Sequence, residues 1–296
     1  TPTPSSAASD VYKRQTYYTT PQDWGWVSWY GHVVVTVADM IYEKFPQYFA
    51  HAAEFSQRKR TCVVHADKVI AISESTKRDL IELFNIPEST VTVTHLAASS
   101  VFRKLSETCC RSFRQRLALE KPFILYVGAR GGYKNFQSLL KAYSLWKRRD
   151  DFDLVCVGGA STWSRDESEM IMEANLGNSV KLFANVADGS LRGFYSCAQT
   201  LVYPSFYEGF GLPLLEAMAC GTPVIASNTS SLPEILGDAG LYFEPSSLEG
   251  LVDALSKVVD NEGLRHQLTT KGLARSRAFS WDKTVAKTWE VYRQLL

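Results

Sequence analysis

The chain alternates short apolar runs rich in β-branched residues with stretches of helical periodicity, and it does so most regularly after residue 120. Each short run is long enough for one strand, and each stretch between two runs is long enough for a helix. Strands that alternate with helices predict a parallel sheet with helices on both faces. The strands predicted in this half are 123–128, 153–159, 179–183, 200–204, 223–227 and 241–243.

The first half gives fewer units of the same kind. Three strands are predicted, at 33–37, 68–73 and 90–96, and a long helix is expected to follow Pro46 and run to about Ala66. Ser73 is expected to cap the next helix, because its hydroxyl can accept a backbone N–H there. The fold class is therefore α/β, with two Rossmann-like doubly wound domains, the first incomplete.

The pattern weakens into a polar connector between 97 and 121, and this sets the expected domain boundary. The predicted division is a poorly defined tail over 1–30, a partial domain over 31–110 and a complete domain over 111–296, whose final helix crosses back. The opening residues, 1–15, are interpreted as an artefact of cloning or sequence assembly.

Composition narrows the possible functions. The chain has 296 residues, of which 45% are hydrophobic, and 32 basic residues against 31 acidic ones give a net charge of +1. That balance argues against a nucleic-acid partner, which favours a basic face. Six cysteines without a C-x-x-C pair predict free thiols in a reducing cytosol, with no metal site. No run approaches the about 20 apolar residues of a membrane span.

A glycine-rich loop, GARGGYKN, follows the first strand of the second half. Ligands of open parallel sheets bind beyond the carboxyl ends of the strands, where this loop lies. Gly128 permits a sharp turn, and Arg130 and Lys134 flank a helix start that can hold an anion. The spacing fits neither G-x-G-x-x-G nor the P-loop. The alternative is a surface turn with two solvated cations.

A second loop, SFYEGFGLPLLEAMACG, follows strand 200–204. Glu208 lies in the loop and Glu216 in the next helix, with seven residues between them. Gly209 and Gly211 permit a tight turn that exposes backbone N–H groups. Two carboxylates near a helix start suit a ligand with a diphosphate and several hydroxyls. The alternative is a pair of surface glutamates around a strand-to-helix turn.

The run YPSFYEGFGLPLLEAMACGTPVIAS resembles the E-x7-E donor motif of retaining GT-B glycosyltransferases, in particular glycosyltransferase family 4. YVGARGGYKN resembles the phosphate-binding loop of that family. SSLPEILGDAGLYFEP, FSWDKTVAKTWEVY, DMIYEKFPQYF and KVIAISESTKRDL continue the resemblance, which covers about residues 33–296. The resemblance implies the GT-B fold and hexosyl transfer. The motifs are most similar to those of mannosyltransferases.

The resemblance also implies roles for individual residues. Arg130 and Lys134 would neutralise the leaving diphosphate, Glu208 would contact the transferred sugar, and Glu216 would hold the ribose. Arg130, Lys134 and Glu208 are the expected catalytic residues. The expected donor-binding residues are Gly128, Gly209, Phe210, Gly211, Leu212 and Glu216. No metal is implied, because the cationic side chains replace it.

The implied donor is a nucleoside diphosphate hexose, with GDP-mannose favoured. The implied acceptor is a saccharide or a lipid-linked saccharide, in bacterial surface polysaccharide and lipopolysaccharide synthesis. The expected location is the cytoplasm, with weak peripheral contact at the inner membrane face. The basic segment RKRT at 58–61 is interpreted as a solvated helix face.

Two departures from the family pattern keep other functions open. The family has His where VTVADM carries Ala38, and the opening strands of its first domain are not recognisable here. His32, His51 and His65 do not occupy the matching position and are interpreted as surface or structural residues. One alternative is a nucleotide-sugar-binding module without catalysis. A less favoured one is a nucleotide-sugar epimerase, which needs catalytic acids in a full first domain.

Overall fold

A computed structural model describes residues 15–17 and 32–296 of the chain. Its contacts divide the chain into two units. The first unit consists of the chain up to Leu96, the short segment Glu208–Phe210 and the terminal segment Ser280–Leu296. The second unit consists of Ala97–Tyr207 and Gly211–Phe279.

In the described part of the first unit, four strands form a parallel sheet in the order β1-β2-β3-β4. These strands are β1 (Gln15–Tyr17), β2 (Val34–Val37), β3 (Lys68–Ala71) and β4 (Val91–Val93). Its helices are α1 (Ile41–Lys44), α2 (Ala52–Val64), α3 (Glu74–Phe84) and the last helix of the chain, α12 (Trp281–Arg293). Strand β1 was not predicted from the sequence, whereas the other three were.

Local sequence explains where helix α3 begins. The Ser73 hydroxyl accepts a hydrogen bond from the Thr76 amide at 3.0 Å, so the predicted helix cap is confirmed. The long helix expected after Pro46 is wrong, because a 3₁₀ turn at Pro46–Tyr48 is followed by the extended residue Phe49. Helix α2 begins only at Ala52. On one face of the sheet, Val34 and Ile70 pack against Val291 of α12.

The second unit contains six parallel strands and eight helices among the described residues. The strands are β5 (Phe123–Val127), β6 (Asp153–Val157), β7 (Val180–Phe183), β8 (Thr200–Tyr203), β9 (Val224–Ser227) and β10 (Gly240–Phe243). The helices are α4 (Glu107–Arg116), α5 (Phe136–Leu145), α6 (Arg165–Glu173), α7 (Asp188–Cys197), α8 (Leu212–Ala219), α9 (Leu232–Leu236), α10 (Leu248–Asp260) and α11 (Glu262–Ser276).

The strand order of the second unit is β10-β9-β8-β5-β6-β7. The chain starts in the middle at β5, runs outward through β6 and β7, and returns to place β8 on the other side of β5. This is the doubly wound order, and it has its topological switch point between β5 and β8. All six predicted strands are present, and the predicted α/β fold class is confirmed.

Candidate functional site

The loops that follow β5 and β8 meet at the switch point of the second sheet. The two strands pair in parallel, so their carboxyl ends lie at one edge. The amide of Phe206, beyond β8, donates to the carbonyl of Tyr133, beyond β5, at 2.8 Å. The crevice beyond the strand ends at such a point is where doubly wound folds bind ligands.

Three residues with positive φ shape the turn after β5. Gly128 has φ 136° and Gly132 has φ 56°, and the side-chain-free backbone allows both values. Asn135 has φ 56°, and its buried amide donates to the carbonyls of Pro204 and Pro245 at 3.0 and 2.9 Å. Asn135 therefore holds the turn against the end of β8, a role that the sequence analysis missed. The tolerance of Asn for left-handed backbone was the available signal.

Arg130 lies inside the second unit, with its side chain 4% exposed. Its guanidinium contacts Glu167 at 3.1 Å and stacks over Trp163 at 4.9 Å. Three more hydrogen bonds of 2.7–3.0 Å reach the backbone carbonyls of residues 158, 160 and 162. Four of its five N–H donors therefore bind protein oxygens. This placement differs from the expected phosphate contact, because the guanidinium fixes the loop after β6 to the turn after β5.

Lys134 is the half-buried cation at the end of the turn. Its ammonium lies 3.5 Å from the Tyr203 hydroxyl, and it lies 5.1 and 5.7 Å from the ring centroids of Tyr133 and Tyr203. Aromatic faces attract a cation through their negative quadrupole. The two rings thus hold a positive charge at the carboxyl end of β8, where the sequence analysis expects a diphosphate.

Glu216 lies in the second turn of α8 and is paired with a tyrosine that the sequence analysis missed. The hydroxyl of Tyr195, a fully buried residue of α7, donates to Glu216 Oε2 at 2.8 Å. Burial raises the pKa of Glu216, the hydrogen bond from Tyr195 lowers it in part, and the Asp188 carboxylate raises it further. Burial and the Glu216 charge raise the pKa of Tyr195 well above 10, so the hydroxyl remains a donor. A tyrosine on an apolar helix face gives no sequence signal for such a pair.

The segment Glu208–Phe210 packs within the first unit. A Cβ atom on Gly209 would lie 2.0 Å from the carbonyl oxygen of Ala38, which directly follows β2. No side chain fits there, so Gly209 is required by space, whereas Gly211 is required by its φ of 108°. Glu208 is buried, with 7% of its surface exposed. Phe210 faces the His95 ring, with 6.1 Å between the ring centroids.

The structure settles several other residues of the first unit. His32, His51 and His65 are exposed, as expected for surface residues. The basic segment at 58–61 is a solvated face only in part, because Lys59 is fully buried. Its ammonium donates to the carboxylate of Glu43 at 2.8 Å and to the carbonyl of Asp39 at 2.9 Å. The expectation of a solvated helix face is therefore confirmed at Arg60 and Thr61 and wrong at Lys59.

Over residues 15–17 and 32–296, no group of three or more His, Cys, Asp or Glu side chains could hold a metal ion. Within the same ranges, the helices are too short or too polar to cross a membrane. All six cysteines are free thiols.

The comparisons with known proteins agree with this architecture. The chain is 35% identical over 234 residues to O-antigen chain mannosyltransferase B of Escherichia coli, covering 78% of this chain and 61% of that protein. Sucrose-phosphate synthase from Thermosynechococcus elongatus superposes with a TM-score of 0.76 and 26% identity, over 89% of this chain and 68% of that one. Anabaena HepE in complex with UDP and glucose superposes with a TM-score of 0.79 and 18% identity, over 98% and 80%.

These similarities cover only part of each known protein. The chain spans about three fifths of the length of the E. coli mannosyltransferase. The solved structures share the fold that the sequence analysis expected for a GT-B protein. The model of the family "Glycosyl transferases group 1" matches residues 111–275, which is more than half of the chain and most of the second unit. The chain therefore belongs to the glycosyl transferases group 1 family.

Proposed function

We propose that this chain is a glycosyltransferase that moves a hexose from a nucleoside diphosphate sugar to a saccharide acceptor. The observation that carries the proposal is the switch point of the second sheet, where the Lys134 cation and a glycine turn meet the loop after β8. Family membership and the relative named as a mannosyltransferase support this choice of activity.

In this proposal the donor diphosphate binds at the turn after β5. Lys134 stabilises the negative charge that grows on the leaving phosphate, because a cation fixed in advance costs no reorganisation during the reaction. The turn at Gly128 and the amides of Gly211 and Leu212, at the start of α8, add dipoles of the same sign. Arg130 contributes indirectly by holding the turn in place.

The carboxylates of Glu216 and Glu208 bind different parts of the donor. Glu216 accepts hydrogen bonds from the ribose through Oε1, since Oε2 already accepts from Tyr195. Glu208 contacts the transferred sugar or its phosphate, as the family resemblance implies. The donor is GDP-mannose and the configuration at the transferred carbon is retained. The reaction needs no metal, because Lys134 supplies the cation.

The acceptor and the location follow from the same resemblance. The acceptor is a growing saccharide, carried on a lipid, in the synthesis of a bacterial surface polysaccharide. The chain works in the cytoplasm and touches the inner membrane face weakly. Sedimentation with vesicles of anionic lipid tests the membrane contact.

Titration calorimetry with GDP and UDP tests the donor site. Replacing Lys134 with Ala removes a charged hydrogen-bond donor and is expected to weaken binding by about 1.5–3 kcal/mol, which is about 10- to 150-fold. The matched control is Lys141→Ala, which removes an exposed cation from helix α5 and should leave the affinity unchanged. Equal affinities of Lys134→Ala and the unaltered chain would contradict the site. Whichever of GDP and UDP binds more tightly indicates which nucleotide base the donor site prefers.

A binding module without catalysis is the second candidate, and Ala38 is the observation that favours it. Ala38 stands where the family carries His, and its carbonyl lies against Gly209. An assay of mannose transfer from GDP-mannose, with and without EDTA, separates the two functions. Turnover that disappears in Glu208→Gln supports the enzyme. Donor binding without turnover, with transfer gained in Ala38→His, supports a site that has lost its catalytic histidine.

A further inference from the structure

A single buried hydroxyl joins three segments of the first unit. Thr76, the third residue of α3, is fully buried. Its Oγ1 lies 3.3 Å from the carbonyl oxygen of Gly209 and 3.4 Å from that of Ala38. The Ser73 hydroxyl donates to the same Oγ1 at 3.1 Å. Because a threonine hydroxyl has one proton, Thr76 shares it between the two carbonyls.

The partners of this hydroxyl are themselves fixed. Ser73 caps α3 and therefore holds the start of the helix that carries Thr76. On the other side, the buried ammonium of Lys59 donates to the carbonyl of Asp39, the residue after Ala38. Lys59 thus fixes the turn after β2, and Ser73 fixes the start of α3. Thr76 lies between these two fixed elements.

The segment Glu208–Phe210 rests on this anchored turn. The Cα of Gly209 approaches the Ala38 carbonyl so closely that no Cβ fits, and the Gly209 carbonyl is within reach of the Thr76 hydroxyl. Glu208 directly precedes this contact in the chain. Its backbone position is therefore set by residues more than a hundred positions earlier in the sequence.

We infer that Thr76 is a positioning residue, whose buried hydroxyl fixes the Glu208–Phe210 segment on the turn after β2 and so determines where the Glu208 carboxylate lies. The inference rests on the proposed function for its catalytic consequence. Its structural part, the ordering of the segment by one hydroxyl, stands on the contacts alone. Thr76 acts on the donor only through the segment that carries Glu208.

The test compares Thr76→Val, which keeps the shape but removes the hydroxyl, with Thr76→Ser, which keeps the hydroxyl. A buried hydrogen bond contributes about a fivefold factor to an opening equilibrium. Amide exchange in peptides that cover 205–212 is therefore expected to rise about fivefold in Thr76→Val and to return to the original rate in Thr76→Ser. Thr270→Val, which removes an exposed hydroxyl from α11, is the matched control.

Turnover and donor affinity supply the second readout. In Thr76→Val, kcat for sugar transfer is expected to fall about fivefold or more, whereas the affinity for GDP or UDP, which depends on Lys134 and Glu216, should stay within twofold. Thr76→Ser should restore kcat. Thermal unfolding of each variant checks that the fold is intact, and Thr76→Ala, which also lacks the hydroxyl, replaces Thr76→Val if that variant does not fold.

The results separate the inference from the proposed function. Exchange in 205–212 that is equal in Thr76→Val and the unaltered chain would overturn the inference, even in an active enzyme. A loss of nucleotide affinity that parallels the loss of kcat would overturn it too, because it would indicate a general structural role. If no variant transfers sugar or binds a nucleotide, the proposed function fails, and the exchange comparison still decides the role of Thr76.

Discussion

Replacing Gly209 with Ala is the sharpest perturbation that the structure offers, because it adds one carbon where there is no space. The new Cβ would lie 2.0 Å from the Ala38 carbonyl oxygen and 2.8 Å from the Asp39 Cβ. Real Cβ contacts essentially never fall below 3.0 Å, so the backbones must separate by about 1 Å. The first obstacle is a backbone atom, which cannot turn away as a side-chain end could.

The expected effect on catalysis follows from that displacement. A shift of about 1 Å in a catalytic group costs on the order of 100-fold in rate, which corresponds to about 2.7 kcal/mol. We therefore expect kcat for sugar transfer to fall about 100-fold in Gly209→Ala. The affinity for GDP should change by less than about threefold, because the diphosphate and ribose contacts are assigned to the second unit.

The assay is transfer from GDP-mannose under saturating donor, beside calorimetric titration with GDP. The matched control is Gly189→Ala in α7, where a Cβ would meet nothing within 4 Å. Thermal unfolding confirms that both variants fold. A Gly209→Ala protein with turnover within threefold of the original would refute the steric argument. So would a loss of GDP affinity as large as the loss of turnover.

Three further predictions concern stability. Burial raises the pKa of Glu216, so this carboxyl favours the folded state at low pH and loses that contribution as pH rises above 4.5. The increase in Tm caused by Glu216→Gln should therefore be larger at pH 8 than at pH 5. An equal increase at both pH values would contradict a buried charge at Glu216. Arg130→Met leaves the Glu167 carboxylate buried without its partner, so denaturant unfolding should show a loss of about 3–5 kcal/mol, and a loss below about 1 kcal/mol would contradict the structural role of Arg130. Gly189→Ala should raise the unfolding free energy by about 0.5–1 kcal/mol, because Ala loses less entropy in a helix and meets open space; a lower free energy would show that the site is not open.

Arg130 and Lys134 show how far a motif can be read without a structure. Both flank the same turn, and from the sequence both are equally good phosphate ligands. The structure separates them, since Arg130 turns inward to Glu167, 37 residues away, while Lys134 lies against the tyrosine rings at the end of β8. The direction of the Arg130 side chain depends on the loop after β6, and that loop has no local signature in the sequence.

The sequence by itself determined most of the strands and the fold class, and it predicts the edge of the second sheet as the place where a ligand binds. Strand periodicity, the Ser73 cap and the glycine turns are set by interactions within a few residues, so a single sequence contains them. Only the tertiary structure decided that Tyr195 holds Glu216, and that Gly209 packs on Ala38. Those contacts join residues that are distant in the chain, and they depend on strand order and helix rotation, which the packing of the whole unit fixes.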